Sequence, residues 1–427
     1  MSSMSPVATP SDSFGRVRAW SAVLLLMVVT VVNAVDRMLP GILIEPVKHD
    51  LLLSDTTLGL INGFGFLVVY SLMAIPLARL ADRGLFGLVV SGCLGLWSVM
   101  TALGSFAANG WQFALSRMGV ALGEAGGTPA AHAFIARNFA PTARAAPLAV
   151  LSLALPLSVV AGTYGGAMLG AALGWRGAFF TMGLAGLLLS PVALMILGPR
   201  QTIAASVESS SWGPTLQLLR NPSFLIILAA AALVGIGGYT LGTFSAAFLM
   251  RVHGLALVDV GMRYGLASGA AGAAGLLIVG ALADRLSSRD PRWSLWVLAL
   301  MIAVTLPFTY GAFLVKDATT ALALMALSHI VGTAYLAPVI AAIQRLAPAR
   351  SRATASAILL LCQSLAGGVG PLLTGMISDA LRPQLGDAAL GPAMLVAPAA
   401  YTIAGGLFVI AAVRYRRDII PQDAVMA

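Results

Sequence analysis

"RLADRG", residues 79–84, and "ALADRLSSR", residues 281–289, are two polar signals in an otherwise apolar chain, and their relation decides the fold. Asp82 and Asp284 stand 202 residues apart, and each is followed by Arg. A second pair echoes at a similar offset: "APTARAAP" at 140–147 and "APARSRA" at 347–353, with Pro141 and Pro348 separated by 207 residues. Two short echoes in the same order, at corresponding places between apolar runs, point to a duplicated unit.

The surroundings say what is duplicated. Hydrophobic residues make up 59% of the 427 and charged residues only 10%, with a mean hydropathy of +0.92. A soluble domain is about a quarter charged. Apolar runs of membrane-crossing length recur at 19–44, 57–80, 86–107, 111–136, 145–171, 176–198, 223–250, 259–283, 294–315, 319–345, 352–380 and 391–414. The least hydrophobic connection, "GPRQTIAASVESSSWGPTLQLLRNPS" at 198–223, divides these runs six and six. The expected fold is all-α: a polytopic membrane protein of twelve helices in two six-helix pseudo-repeats. The expected organisation is a disordered cytoplasmic tail at 1–18, bundles at 19–198 and 223–414 joined by a cytoplasmic linker at 199–222, and a cytoplasmic tail at 415–427.

The charge of +9 and pI of 10.1 suit a membrane better than a nucleic acid. The basic residues cluster between apolar runs, with no basic stripe interleaved with aromatics. With both termini inside, 17 of the 25 Lys and Arg residues fall on the cytoplasmic side and six outside, so the positive-inside pattern places both termini in the cytoplasm. Arg-rich, Ala- and Gly-rich usage suggests a bacterial inner membrane. Cys93 and Cys362 lie far apart in apolar runs, so neither a disulfide framework nor a metal site is expected. No Walker A sequence, HExxH pattern or serine-nucleophile elbow occurs. An enzyme and an ATP-driven pump are both unsupported, and no cofactor is expected beyond protons as the coupling ion.

Arg37 and Arg117 are the two basic residues inside spans, and Glu124 is the one Glu of three that is inside a span. Charges at that depth are expensive and are functional candidates by default. Arg117 and Glu124 share a face of span 4, two turns or about 10 Å apart, which is long for a direct pair. Span 1 supplies the alternatives, Asp36 and Arg37. Rising at 1.5 Å per residue, it places Asp36 about 25 Å above residue 19, level with Arg117 on the descending span 4. An Asp36–Arg117 pair is therefore allowed. Two readings stay open: a static ion network binding spans 1 and 4, or a working site in which Asp36 and Glu124 exchange protons while Arg117 or Arg37 contacts an anionic substrate. Tyr70, Tyr164, Tyr239, Thr240, Thr243, Tyr335 and Gln363 are candidates to line a cavity. His132 and His329 fit either packing or a proton relay. Asp82, Arg83, Asp284 and Arg285 are expected to organise the loops after spans 2 and 8. Small residues at 162, 165, 166 and 170, and at 261, 265, 269 and 272, permit close helix crossing in spans 5 and 8.

Twelve spans, the paired Asp-Arg signals and "GWRGAF" at 174–179 resemble the major facilitator superfamily. Within it, "NAVDR" (33–37), "LSDTTLGLINGFGFLVVYSLMAIPLARLADR" (53–83) and "SRMGVALGEAGGTPA" (116–130) resemble the Spinster group. The loop after Arg83, "GLFGLVV", lacks the basic residues the family carries there. The resemblance implies substrate binding at the midplane between the halves. It also implies Asp36, Arg117 and Glu124 as working positions, and an amphipathic anionic lipid, a lysophospholipid or sphingosine-1-phosphate-like molecule, as cargo of a functional monomer. A proton-linked carrier of small organic anions or drugs is the alternative within the same fold.

Overall fold

The computed structural model describes residues 16–80, 85–126, 131, 134–135, 138–140, 143–198, 218–348 and 351–419. Among these, nine helices are long and apolar enough to cross a membrane. Two of them, Leu157–Leu197 and Thr354–Asp418, run 41 and 65 residues and each hold more than one crossing. A further helix, Gly110–Glu124, stops where the description stops. The arrangement is consistent with twelve spans, labelled here α1 (Arg16–Ile42), α2 (Asp55–Leu80), α3 (Phe86–Gly104), α4 (Gly110–Glu124), α5 (145–173), α6 (175–197), α7 (Pro222–Arg251), α8 (Leu257–Ser287), α9 (Trp293–Leu314), α10 (Ala318–Leu346), α11 (352–385) and α12 (Val396–Asp418). A short helix, Ile44–Leu51, follows α1. α12 reaches Asp418, so the expected tail from 415 begins inside a helix; Tyr415 is fully buried there and donates to the Ala342 carbonyl at 2.5 Å. The connection at 199–217 lies outside the described residues.

The duplication is visible in who packs on whom. α1 packs on α5 and α6, and α7 packs on α11 and α12. α3 packs on α4 and α6, and α9 on α10 and α12; α2 packs on α4, and α8 on α10. Each contact of the first six helices thus recurs six helices later. Between the halves the pairs are α1 with α7, α2 with α11, and α5 with α8, which is what a two-fold relation of the repeats requires. α2 and α8 also share a local signature: a π turn near the start, at Leu60–Gly65 and Val260–Tyr264. α5 carries a third, at Ala161–Gly165.

"GWRGAF" separates α5 from α6. Gly174 adopts φ 68°, a left-handed conformation open to glycine at little cost, and it breaks the continuous helix. The next two residues stitch the turn to its neighbours. Trp175 Nε1 donates to Asp50 Oδ2 at 2.8 Å, and Arg176 Nη1 donates to the carbonyls of Ser105 and Ala107, both at 2.8 Å.

Small residues set the helix crossings, with partners that differ from simple face-to-face stripes. A Cβ on Gly162, Gly166 or Gly170 of α5 would meet Met38, Leu39 or Ile42, and Leu43, so that stripe mainly admits the end of α1, with Leu257 of α8 reaching only Gly170. On α8 the stripe does face α5: a Cβ on Gly261 would come 2.3 Å from Ala167 Cβ, and one on Gly265 2.3 Å from Thr163 Oγ1. One very close crossing joins α2 and α11, where a Cβ on Gly59 would lie 2.2 Å from the Pro371 carbonyl oxygen. Gly406 of α12, by contrast, has open space at that position. Gly59→Ala should therefore destabilise by about 1–3 kcal/mol through overpacking against backbone, whereas Gly406→Ala should be neutral or mildly stabilising because Ala is the better helix former. Melting temperatures of the two purified variants test this; equal effects would refute the close crossing.

Candidate functional site

The site begins in α1. Pro40 has no N–H to offer the carbonyl of Asp36, so the helix ladder is interrupted beside the two charged residues. Asp36 is 2% exposed and accepts a hydrogen bond from Thr101 Oγ1 of α3 at 2.9 Å. Arg117 of α4, equally buried, brings Nη1 to 3.5 Å from Asp36 Oδ2, an ion-pair distance rather than a well-formed hydrogen bond. Arg37, one residue on, is directed to Glu124 Oε2. The four charges therefore form two cross-helix pairs, Asp36–Arg117 and Arg37–Glu124, and Arg117 does not pair with Glu124 on its own helix.

Aromatic faces from α2 complete the cluster. The Arg37 guanidinium lies 4.3 Å from the Tyr70 ring centroid, and that of Arg117 lies 5.3 Å from Phe66. A ring face attracts a cation without neutralising it, which suits a guanidinium that must also meet something else. Glu124 is placed by close packing of α4 on α3: a Cβ on Gly123 would come 2.7 Å from Trp97 N, and one on Gly126 2.6 Å from Cys93 Sγ. Those glycines serve the helix crossing rather than space at the carboxylate. Several polar atoms in this region are buried with no hydrogen-bond partner among the described residues, including Arg117 Nε and Glu124 Oε1.

Arg37 and Arg117 open onto a cavity of about 320 Å³ between the halves. Of the residues expected to line it, Tyr239, Thr243, Tyr335 and Gln363 do so, and His329 lines it as well. Tyr70 reaches the site through Arg37. Tyr164 does not reach it: it sits in the π turn of α5, its backbone against Gly261 and Gly265 of α8, and is 36% exposed. Thr240 is fully buried, 3.5 Å from Thr374 Oγ1 of α11. Asp284 and Arg285 are exposed at the end of α8, while Asp82, Arg83 and His132 lie outside the described residues. Asn62, Phe66 and Tyr401 line the cavity and were not singled out from the sequence.

A second charged cluster, also not anticipated, lies at the end of the bundle remote from the termini. Asp55, fully buried at the start of α2, accepts from Arg251 Nη1 at 2.7 Å, Lys48 Nζ at 2.5 Å and Ser378 Oγ at 2.7 Å. Arg251 also pairs with Glu45. Asp379 of α11 accepts from the backbone N–H groups of Asp55 and Thr56, at 3.1 and 2.8 Å, and so caps a helix of the other half. The two halves are locked at this end by buried ions. The apolar packing agrees. One cluster runs from Leu43, Phe113 and Trp175 into Phe244 and Phe248, while Val23, Leu94, Trp97 and Phe134, nearer the termini, form a separate one within the first half.

A cavity at mid-depth between two pseudo-symmetric bundles, sealed at one end, has the geometry of a transporter. The sequence pattern of the Major Facilitator Superfamily matches residues 26–371. The chain belongs to that superfamily. Among its superfamily relatives, an "MFS-type efflux pump" of Mycolicibacterium smegmatis is 52% identical over 96% of this chain and 97% of its own. "Protein spinster homolog 1" of Xenopus tropicalis is 26% identical, covering 93% and 81%. Among solved structures, a bacterial homolog of the human lysosomal transporter Spinster, in an inward-facing and unoccupied conformation, superposes with a TM-score of 0.87 at 26% identity, covering 96% of this chain and all of that one. The superfamily assignment and the site together make this a membrane transporter and not an enzyme.

Arg251→Met tests the sealed end. It leaves Glu45 and Asp55 with one cation between them, and breaking a buried ion network costs about 3–5 kcal/mol. With Cys93 and Cys362 replaced, the distance between spin labels at Leu52 and Leu385 should lengthen. An unchanged distance would show that the ions do not hold the end closed.

Proposed function

We propose that this chain is a proton-linked, alternating-access transporter of an amphipathic anion, with a lysophospholipid-like lipid as the cargo class. The observation that carries the reading is the charge balance of the site. Asp36, Arg37, Arg117 and Glu124 sum to zero when all are ionised. The Arg37 side chain is 30% exposed and lines the cavity, whereas the Glu124 side chain is fully buried behind it. An anion arriving at Arg37 competes with Glu124 for the guanidinium. A carboxylate displaced from its cation inside a membrane is stabilised by taking up a proton. Proton and anion therefore favour each other's binding. The Asp36–Arg117 pair, held by Thr101, keeps the second guanidinium in position.

Phe66, Leu67, Met38, Val234 and Leu241 supply apolar lining beside the charges, which suits a cargo with a hydrocarbon portion. The sequence resemblance to the Spinster group supports the lipid class. The end bearing the termini is assigned to the cytoplasm on the distribution of Arg and Lys, in a bacterial inner membrane, with the monomer as the working unit. The 52% identity to an efflux pump favours a second reading, export of a small organic anion or drug through the same site.

Binding of lysophosphatidylglycerol, a phosphodiester whose own charge is constant between pH 5 and 8, discriminates. Affinity should rise as pH falls, by up to about tenfold per unit where one proton is taken up with the ligand. Glu124→Gln should bind with high affinity and lose this dependence, and Arg37→Gln should lose binding. A wild-type affinity independent of pH would end the coupling proposal, and preference for short organic anions over the lysolipid would favour the second reading.

A further inference from the structure

The cavity has a second polar wall, formed by the second half and apart from the guanidinium pair. Tyr335 of α10 and Tyr401 of α12 both line it and are 3% and 0% exposed. Neither hydroxyl has a hydrogen-bond partner among the described residues. A buried hydroxyl left unpaired is costly, so two of them at one cavity wall indicate a ligand group that satisfies them.

The way Tyr401 arrives is specific. It comes from α12, which packs behind α7, and it passes through a notch in the sequence "GIGGYT" at 235–240. A Cβ on Gly237 would lie 2.4 Å from Tyr401 Cε1, inside the ring's own space. A Cβ on Gly238, itself a lining residue, would be 3.8 Å from the hydroxyl oxygen. Only a residue without a side chain at Gly237 lets the ring through. Packing alone would be met by Phe.

We infer that Tyr335 and Tyr401 form a subsite for a neutral hydroxyl group of the cargo, set apart from the anionic group that meets Arg37 and Arg117. The cargo is then a hydroxyl-bearing anionic amphipath, such as a glycerophosphate monoester with one free hydroxyl, and not a plain fatty anion. This rests on the anionic-amphipath reading of the same cavity and adds the group that sets selectivity. Each tyrosine hydroxyl can both donate and accept, so a single alcohol on the ligand can receive from one and donate to the other. A site built around such a pair rejects an analogue lacking the group, because its own hydroxyls stay unpaired.

The test uses the full-length protein in detergent and two probes at one fixed pH: palmitoyl lysophosphatidic acid and its 2-deoxy analogue, which share chain and phosphate. Wild type should bind the hydroxylated probe about fivefold or more tightly than the deoxy probe. Tyr335→Phe and Tyr401→Phe should each remove about that factor for the hydroxylated probe and leave the deoxy probe unchanged. Equal binding of both probes by wild type, or variants that weaken both probes alike, would overturn the subsite while leaving the anionic-lipid reading standing. Binding of neither probe would overturn both. The wild-type comparison of the two probes decides the matter even if one Phe variant fails to fold.

Discussion

Much at the centre of this molecule follows from placing four charges inside the bundle, three of them buried and Arg37 facing the cavity. Desolvating a carboxylate or a guanidinium is so unfavourable that each must find an opposite charge, a ring face or a hydroxyl. Asp36 has Arg117 and Thr101; Arg37 has Glu124 and Tyr70. That requirement fixes how α1, α2, α3 and α4 are rotated against each other. It also explains the close crossing at Gly123 and Gly126, without which α4 could not bring Glu124 to Arg37. On the proposed reading, the interactions that hold these helices are also those that cargo would disturb.

The end remote from the termini obeys the same physics to another purpose. There the pairs run between the halves: Arg251 of α7 meets Asp55 and Glu45, and Ser378 and Asp379 of α11 meet the start of α2. A network inside one half would add rigidity, whereas one that bridges halves stabilises the arrangement in which they meet. The apolar clusters agree: the one that joins the two halves does so through Leu43, Phe113 and Trp175, whereas Val23, Leu94 and Trp97 belong to a separate cluster of the first half.

Much of the fold was legible in the sequence because membrane helices announce themselves by length and apolarity, and because two loop signals repeat. The level of Asp36 with Arg117 was legible too, since helical rise converts residue number into depth. Rotation about a helix axis was not. Arg251, Lys48 and Glu45 look like flanking charges at the ends of apolar runs, and nothing local says that Arg251 and Lys48 turn inward to meet Asp55 while Glu45 pairs with Arg251. Tyr164 sits among glycines in a span that packs at the interface, yet it is 36% exposed and is not among the residues lining the cavity. Tyr401 belongs to a helix with no evident claim on the centre, and its access depends on glycines in a different half-turn of a different helix. Gly237 was the signal available, but its meaning required knowing which ring faces it.

The cap supplied by Asp379 has one more consequence. The first N–H groups of a helix have no partner within it, and a side chain of the same segment commonly provides one. Ser54 does this for Thr57, at 3.1 Å, but the N–H groups of Asp55 and Thr56 are satisfied from the opposite half of the molecule. α2 is thus a complete helix only when the halves meet. The free energy of that cap, about 1 kcal/mol, therefore depends on contact between the halves rather than on the folding of either bundle alone, and any separation of the halves at this end would unmake the first turn of a helix.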